Sequence, residues 1–339
     1  MSNKKTIDTI YSEAAQFLRM RNVFDLSRLF PNLEFSRLVY EIENASYKEF
    51  TIPKATGGKR TIEAPNEKLL YIQRRLNRFL QAVYYTIKPN EVYGFVQAAM
   101  HEANPRTIIS NAQNHIYKEY VLNIDLKDFF HSISAVKVRG LFLAAPFNFS
   151  NDLATGLALT CCWKKRLPMG APTSPVISNL ICLQLDKQLL EVANEHCLVY
   201  SRYADDLTFS TNNFVSEGAV DDIKKVIEEN GFKLNERKLR LQSKYLTQTV
   251  TGIKVNQKTN VVRPYIRNIR AILNDIKWNG IEKAACKHYK VKAADEKLVN
   301  TFLLSVKGKI NFIGEVRGKE DMIYNGLKQN LNAFKEVKI

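Results

Sequence analysis

The spacing of apolar residues along this chain changes several times, and each change marks an element. Over residues 66–87, Leu69, Ile72, Leu76, Phe79, Leu80 and Val83 recur at three- and four-residue intervals with Arg74, Arg75 and Arg78 between them, which predicts an amphipathic helix. Just before it the period is two: Phe50 and Ile52 alternate with polar residues, Thr56-Gly57-Gly58 supplies a turn, and Arg60 and Ile62 alternate on the return, so residues 47–65 read as a β-hairpin. Residues 1–46 carry Phe17, Leu18, Val23, Phe24, Leu26, Leu29 and Phe30 at helical spacing, broken by Pro31, and predict two or three short helices. Three β-prone runs follow, Tyr120 to Ile124, Leu198 to Tyr203 and Leu207 to Ser210, the last two enclosing a tight tip. Helices are expected over Asn151–Arg166, Val176–Ala193 (opened by Pro175) and Asp221–Asn230 (ended by Gly231), and two short strands between Leu246 and Val262. From Pro264 onward Ile266, Ile269, Ile272, Leu273 and Ile276 form one helical face, with Arg267, Arg270 and Lys277 off it. No internal repeat and no low-complexity linker interrupts the chain.

The candidate chemistry lies at the ends of the β-prone runs. Asp205 and Asp206 fall at the hairpin tip after Tyr203-Ala204, and Asp125 ends the run Tyr120-Val121-Leu122-Asn123-Ile124. An Asp-Asp pair by itself is usually a solvated turn, because Asp satisfies the local backbone there. Three carboxylates on neighbouring strand ends predict instead a hard-oxygen site for a divalent cation. Magnesium, which takes one or two carboxylates plus substrate phosphates, points to phosphoryl or nucleotidyl transfer.

Company in a fixed order sharpens this reading. Asn123-Ile124-Asp125-Leu126-Lys127-Asp128-Phe129-Phe130 is followed by Leu167-Pro168-Met169-Gly170-Ala171-Pro172-Thr173-Ser174-Pro175, then Tyr203-Ala204-Asp205-Asp206, then Gly231-Phe232-Lys233-Leu234-Asn235. The series resembles the reverse transcriptase family. The resemblance covers roughly residues 47–339 and implies an α+β right-hand polymerase: fingers at 47–118, a palm with an antiparallel sheet at 119–265 (with a finger insertion about 151–175), and a helical thumb at 266–339 that binds RNA or duplex. An N-terminal helical extension occupies 1–46.

The same resemblance implies that Asp125 and Asp205 each hold two magnesium ions, that the backbone carbonyl of Leu126 helps, and that Asp206 is a ligand or near-ligand. Lys54, Arg60 and Lys59 match the finger hairpin that grips a nucleoside triphosphate, a task suited to the planar guanidinium fork of Arg. Phe130 stands where similar polymerases place the aromatic that excludes a 2′-hydroxyl and so selects dNTPs, whereas Phe129 is expected in the core. Gly170, Ala171 and Pro172 form a small-residue loop for the nucleotide, and Lys238 resembles the lysine that protonates pyrophosphate. Met169 departs from the commoner family pattern, which places Gln there.

Composition sets the surroundings. With 339 residues and 45% hydrophobic content the chain can bury a sizeable core. No stretch is long and apolar enough to cross a bilayer, and the N-terminus lacks a signal-peptide apolar core, so the expected address is the cytoplasm with no membrane partner. Cys161, Cys162, Cys182, Cys197 and Cys286 read as reduced packing residues, and no Cys/His spacing suggests zinc. Of the net charge of +16, residues 231–339 hold an excess of 14, from 23 Lys and Arg against 9 Asp and Glu. That distribution favours a polyanion partner held through phosphate contacts.

Two further motifs narrow the resemblance. Asn111-Ala112-Gln113-Asn114-His115 and Val250-Thr251-Gly252 look like the Asn-Ala-x-x-His and Val-Thr-Gly signatures of retron reverse transcriptases. A retron enzyme would bind a structured noncoding RNA and prime DNA synthesis from the 2′-hydroxyl of an internal guanosine. Its product is branched RNA-linked DNA, the template being trimmed by host ribonuclease H, and a separate effector protein serves antiphage defence. RNA contacts are expected from Asn111, His115, Val250, Thr251, Gly252, Arg267 and Arg270, with His115 as a hydrogen-bonding lock. The compact length leads to the expectation that no RNase H, integrase or endonuclease module is present. The alternatives are an intron-related or abortive-infection reverse transcriptase, a catalytically silent RNA-binding scaffold, or an RNA-dependent RNA polymerase.

Overall fold

The computed structural model describes residues 4–53 and 57–336. Lys54, expected at the triphosphate, lies outside the described residues. The chain divides into two compact units, Met1–Thr107 with Leu122–Leu241, and Ile108–Val121 with Gln242–Ile339. In chain order the elements are α1 (Ile7–Leu18), a 3-10 segment Val23–Leu29, α2 (Phe35–Glu43), β1 (Tyr47–Pro53), β2 (Lys59–Pro65), α3 (Glu67–Ile87), α4 (Ile108–Gln113), β3 (Tyr120–Asp125), α5 (Ala135–Leu143) and α6 (Asn151–Cys161). They continue with α7 (Ser174–Ile181), α8 (Leu183–Glu195), β4 (Val199–Tyr203), β5 (Asp206–Thr211), α9 (Glu217–Glu229), a 3-10 turn Glu236–Lys238 and β6 (Arg240–Ser243). The rest is β7 (Thr249–Val250), β8 (Ile253–Lys254), α10 (Arg263–Asn279), α11 (Ile281–Tyr289), α12 (Glu296–Arg317) and α13 (Met322–Glu336).

In the first unit the sheet runs β4-β5-β3-β6, and β1 pairs with β2 in a separate antiparallel hairpin that sets Ile52 opposite Arg60. Helix α3 follows its sequence pattern. Asn66 caps it by accepting from the Leu69 N–H at 2.9 Å, and Leu69, Ile72, Leu76, Phe79, Leu80 and Val83 are all buried. Each such side chain contributes about 1.5–3 kcal/mol of apolar burial. Helix α1 lies against α3, where Phe17 stacks on Phe79 at 6.2 Å and meets Phe147 and Phe149 edge-on. Helix α1, in the segment expected as an N-terminal extension, thus contributes Phe17 to the core of this unit.

Two expected helices are shorter than their pattern. The segment from Asn151 stops at Cys161, because Trp163 and Arg166 close a tight turn in which Lys164 (φ 49°) and Lys165 (φ 61°) are both left-handed. The helix expected over Val176–Ala193 is interrupted at Cys182, between α7 and α8. Neither Gly nor Pro stands at that position, so local sequence does not announce the break.

The second unit is helical around one apolar core. Val299, Phe302, Val306, Ile310 and Ile313 of α12 face Ile269, Leu273 and Ile276 of α10, together with Ala112, Val121, Val250 and Ile253. Two boundaries expected from sequence do not coincide with this division. Residues 108–118, assigned to the fingers, and 242–265, assigned to the palm, pack with the C-terminal helices because their apolar residues belong to that core.

Candidate active site

Tyr203 pairs with Asp206 across β4 and β5, which leaves Ala204-Asp205 as a two-residue turn. Ala204 is left-handed, at φ 58°, a conformation that costs a non-glycine residue roughly 1–2 kcal/mol. The turn places Asp205 at the tip and Asp206 on the first position of the returning strand. Strand β3 delivers the third acid beside them: the Leu126 N–H donates to the Asp205 carbonyl at 3.0 Å, and the Asn235 N–H donates to the Asp125 carbonyl at 2.8 Å.

The electrostatics follow from that convergence. Burial in the cleft raises the Asp205 carboxyl above its ordinary range; its own backbone N–H, Lys238 and Arg60 pull it down, while Asp125 pushes it up. Asp206 keeps an exposed surface, yet it is pushed up to about 6, first by loss of surrounding water and then by Asp205 and Asp125. Repulsion of this kind is relieved by a shared cation, and an all-carboxylate donor set suits a hard divalent ion. The side chains are not a ready-made cage, since no group of three His, Cys, Asp or Glu among the described residues is disposed to hold a metal. Asp125 is instead held by the Lys238 ammonium at 2.6 Å and by the Asn235 side-chain amide at 3.0 Å. The donors fit a cation provided that Lys238 gives way to it.

Around this centre, Arg60 lies exposed on β2, close enough to draw down Asp205. Phe130 is half-buried, with ring centroids 6.0 Å from Phe95 and 5.4 Å from Phe129. Phe129 is buried and stacks on Phe232 at 5.7 Å. The loop after Leu167 is bound to the β1–β2 hairpin through Glu63, whose N–H donates to the Met169 carbonyl at 2.8 Å and whose carboxylate accepts from the Met169 N–H at 3.0 Å. A Cβ on Gly170 would stand 2.8 Å from the Glu63 carbonyl, so only glycine allows this approach. Ala171 is 3% exposed and leaves little side-chain surface for a nucleotide.

Sequence reasoning missed the charges that support this centre. Glu63 accepts from Arg166 at 2.8 Å and lies 3.1 Å from the His131 ring. Burial works to raise its carboxyl, but the Met169 N–H, Arg166 and His131 outweigh burial and hold it below the ordinary range. Arg202, 0% exposed under the hairpin, forms two hydrogen bonds of 2.7 Å with Asp186, which also accepts from the Tyr200 hydroxyl at 2.8 Å. Charged residues inside otherwise apolar runs were the available signal.

In the second unit the two short motifs meet. Thr251 Oγ1 donates to the Ile108 carbonyl at 3.1 Å, joining the β7–β8 turn to α4. Thr251 (φ 48°) and Gly252 (φ 79°) are the two left-handed residues of that turn. Asn111 and His115 are 1% and 0% exposed, and Val250 is also buried. Burial pushes the His115 imidazole down to about 3, which keeps it neutral. Asn111, His115 and Val250, expected at the RNA, thus present almost no side-chain surface in this fold. Gly252, Arg267 and Arg270 are exposed. Elsewhere in this unit a cavity of about 680 Å³ is lined by Tyr117, Tyr245, Lys118, Lys244, Lys254 and Lys258 among others.

The family pattern described as reverse transcriptase (RNA-dependent DNA polymerase) matches residues 52–261, which include all three aspartates. Retron Mx65 reverse transcriptase of Myxococcus xanthus is 33% identical over 247 residues, covering 67% of this chain and 55% of that protein. Retron Ec86 reverse transcriptase of Escherichia coli is 33% identical over 266 residues, covering 76% of this chain and 78% of that protein. The chain thus spans about half the length of the first relative and over three quarters of the second. With the matched segment running from the β1–β2 hairpin through the carboxylate-bearing sheet, the chain belongs to the reverse transcriptase family and, within it, to the retron reverse transcriptases.

Proposed function

We propose that this protein is the RNA-directed DNA polymerase of a retron. The observation that carries the reading is the convergence of Asp125, Asp205 and Asp206 on adjacent strand ends within the family-matched segment. Two magnesium ions held by Asp125, Asp205, Asp206 and the Leu126 carbonyl would activate a primer hydroxyl and neutralise the leaving pyrophosphate. The chain's own groups do the rest. Arg60, with Lys54 and Lys59, grips the triphosphate of the incoming dNTP. Phe130 stands against the sugar and rejects a 2′-hydroxyl by clash. Lys238, released from Asp125 when the cation binds, protonates pyrophosphate, a contribution of about 10²–10⁴-fold.

The template and primer are a structured noncoding RNA, extended from the 2′-hydroxyl of an internal guanosine to give branched RNA-linked DNA in the cytoplasm. Host ribonuclease H trims the RNA, and a separate effector protein uses the product in antiphage defence. The basic surface of the second unit supports RNA binding through Arg267, Arg270 and the lysine-lined cavity, with Gly252 and Thr251 at an exposed turn. Asn111, His115 and Val250 then shape that surface from beneath.

Primer extension on an RNA template with magnesium and dNTPs tests the activity, and analysis of DNA recovered after RNase treatment tests the branch. Template-dependent DNA synthesis and a residual RNA-linked DNA are expected. Synthesis from ribonucleotides alone would indicate an RNA polymerase, and no synthesis at all would indicate a silent RNA-binding scaffold.

A further inference from the structure

The segment just before Phe95 lies along β4 and carries no motif. The Arg202 N–H donates to the Glu91 carbonyl at 2.9 Å and the Tyr93 N–H donates to the Arg202 carbonyl at 2.8 Å, so Glu91–Tyr93 runs as a parallel neighbour of the hairpin's first strand. Beneath it is a buried polar strut. Besides its pair with Asp186, the Arg202 guanidinium donates to Asn179 Oδ1 at 3.0 Å and to the Ala204 carbonyl at 3.2 Å. The Asn179 amide then donates to the Gly94 carbonyl at 2.9 Å. One side chain thus ties the backbone before Asp205 to Asn179, and Asn179 ties both to Gly94.

Gly94 presses directly on the turn. A Cβ there would stand 3.0 Å from the Tyr203 carbonyl carbon and inside contact distance of the Ala204 nitrogen. The next residue, Phe95, is left-handed at φ 60°, and its ring lies 6.0 Å from that of Phe130, within the range of an aromatic pair. The Gln81 amide holds the Phe95 carbonyl at 3.2 Å. Two adjacent residues therefore meet the two parts on which incorporation depends in the proposed function: the carboxylate hairpin and the aromatic assigned to the sugar.

We infer that Gly94-Phe95 is a positioning element of the polymerase site, with Gly94 and the Asn179–Arg202 strut fixing the height of the hairpin and Phe95 fixing the Phe130 ring, which makes Phe95 a determinant of sugar selection. This rests on the reading of Phe130 as the group that meets the sugar. The aromatic pair limits how far Phe130 can swing, and without it a 2′-hydroxyl would find room. The glycine sets a distance in the catalytic geometry, where a displacement of about 1 Å costs on the order of 10²-fold.

The test is steady-state incorporation of dNTPs and rNTPs on one RNA template, normalised by active-site titration so that loss of folded enzyme does not count. Phe95→Ala should raise the rNTP-to-dNTP ratio of kcat/KM by at least about tenfold, a size typical of one apolar contact in selectivity. Phe95→Tyr, which keeps the ring, should hold the wild-type ratio. Gly94→Ala should lower kcat for both sugars by about 10²-fold with little change in dNTP KM. Should Gly94→Ala fail to fold, Asn179→Asp keeps the acceptor for Arg202, removes the donor to Gly94, and should lower kcat in the same pattern. Phe130→Ala is run alongside. A wild-type ratio in Phe130→Ala would overturn the sugar-gate reading itself. A relaxed ratio in Phe130→Ala with a wild-type ratio in Phe95→Ala would overturn the Phe95 role alone. Wild-type kcat in both Gly94→Ala and Asn179→Asp would overturn the hairpin role.

Discussion

Tyr203-Ala204-Asp205-Asp206 in the first unit and the Asn111–His115 and Val250-Thr251-Gly252 motifs in the second sit in opposite physical settings. The first holds carboxylates at a strained turn, where burial and mutual repulsion raise Asp205 and Asp206 while Lys238, with Arg60 on the one and Arg240 on the other, draws them partly back. The second buries a neutral imidazole and an amide whose side-chain nitrogen and oxygen have no hydrogen-bond partner, and its apolar residues join a helical core. The motif assigned to chemistry in the proposed function sits under backbone strain and charge repulsion, whereas the other packs into a helical core. Sequence prominence alone does not separate these roles; burial does.

The largest expected effect lies on the chemical side. Asp205→Asn should lower primer extension by at least about 10²–10³-fold while RNA retention on filters stays near wild type, since the amide cannot supply the charge that the site needs. Wild-type extension by this variant would remove Asp205 from the reaction. Next comes the support beneath it. Asp186→Ala strands the buried Arg202 guanidinium and should cost about 3–5 kcal/mol in urea unfolding. A cost below about 1 kcal/mol would place water or another acceptor at Arg202.

On the architectural side, His115→Ala should lower stability by about 2 kcal/mol through lost packing, with RNA affinity per folded molecule unchanged. Weaker RNA binding by fully folded protein would restore His115 as a contact. Asp206 gives a pH test. Its folded carboxyl holds its proton up to about 6, against an ordinary value of 3.8, so it favours the folded state below the ordinary value and loses that advantage as pH rises through about 6. In metal-free buffer Asp206→Asn should flatten the fall in melting temperature across that window, and an unchanged slope would assign the fall to other groups. The smallest effect belongs to Asn111→Leu, which removes an unpartnered buried amide and should leave stability within about 1 kcal/mol of wild type. A large loss would show that the amide has a partner.

Local pattern made much of this protein legible. The β1–β2 hairpin, α3 and the β4–β5 tip follow from alternation, helical spacing and turn chemistry, all of which act over a few residues. The end of α6 at Cys161 and the break at Cys182 were not legible, because one depends on a lysine pair accepting left-handed backbone and the other on packing without a Gly or Pro signal. The site divides in the same way. Asp125, Asp205, Asp206 and Phe130 could be named from motif order, but Glu63, Asn179, Asp186, Arg202 and Gly94 act through partners remote in sequence.

By itself, the sequence determined most of the elements, the acids at or beside strand ends, the basic C-terminal region and the family, since each is a property of neighbouring residues or of motif order. Only the tertiary structure decided that Lys238 holds Asp125, that Asn111 and His115 are interior, and that residues 108–121 belong with the C-terminal helices. The physical reason is that burial and hydrogen-bond pairing are relations between distant parts of the chain. A motif can name a residue type, but the solvent left around that residue determines whether it reacts, binds or packs.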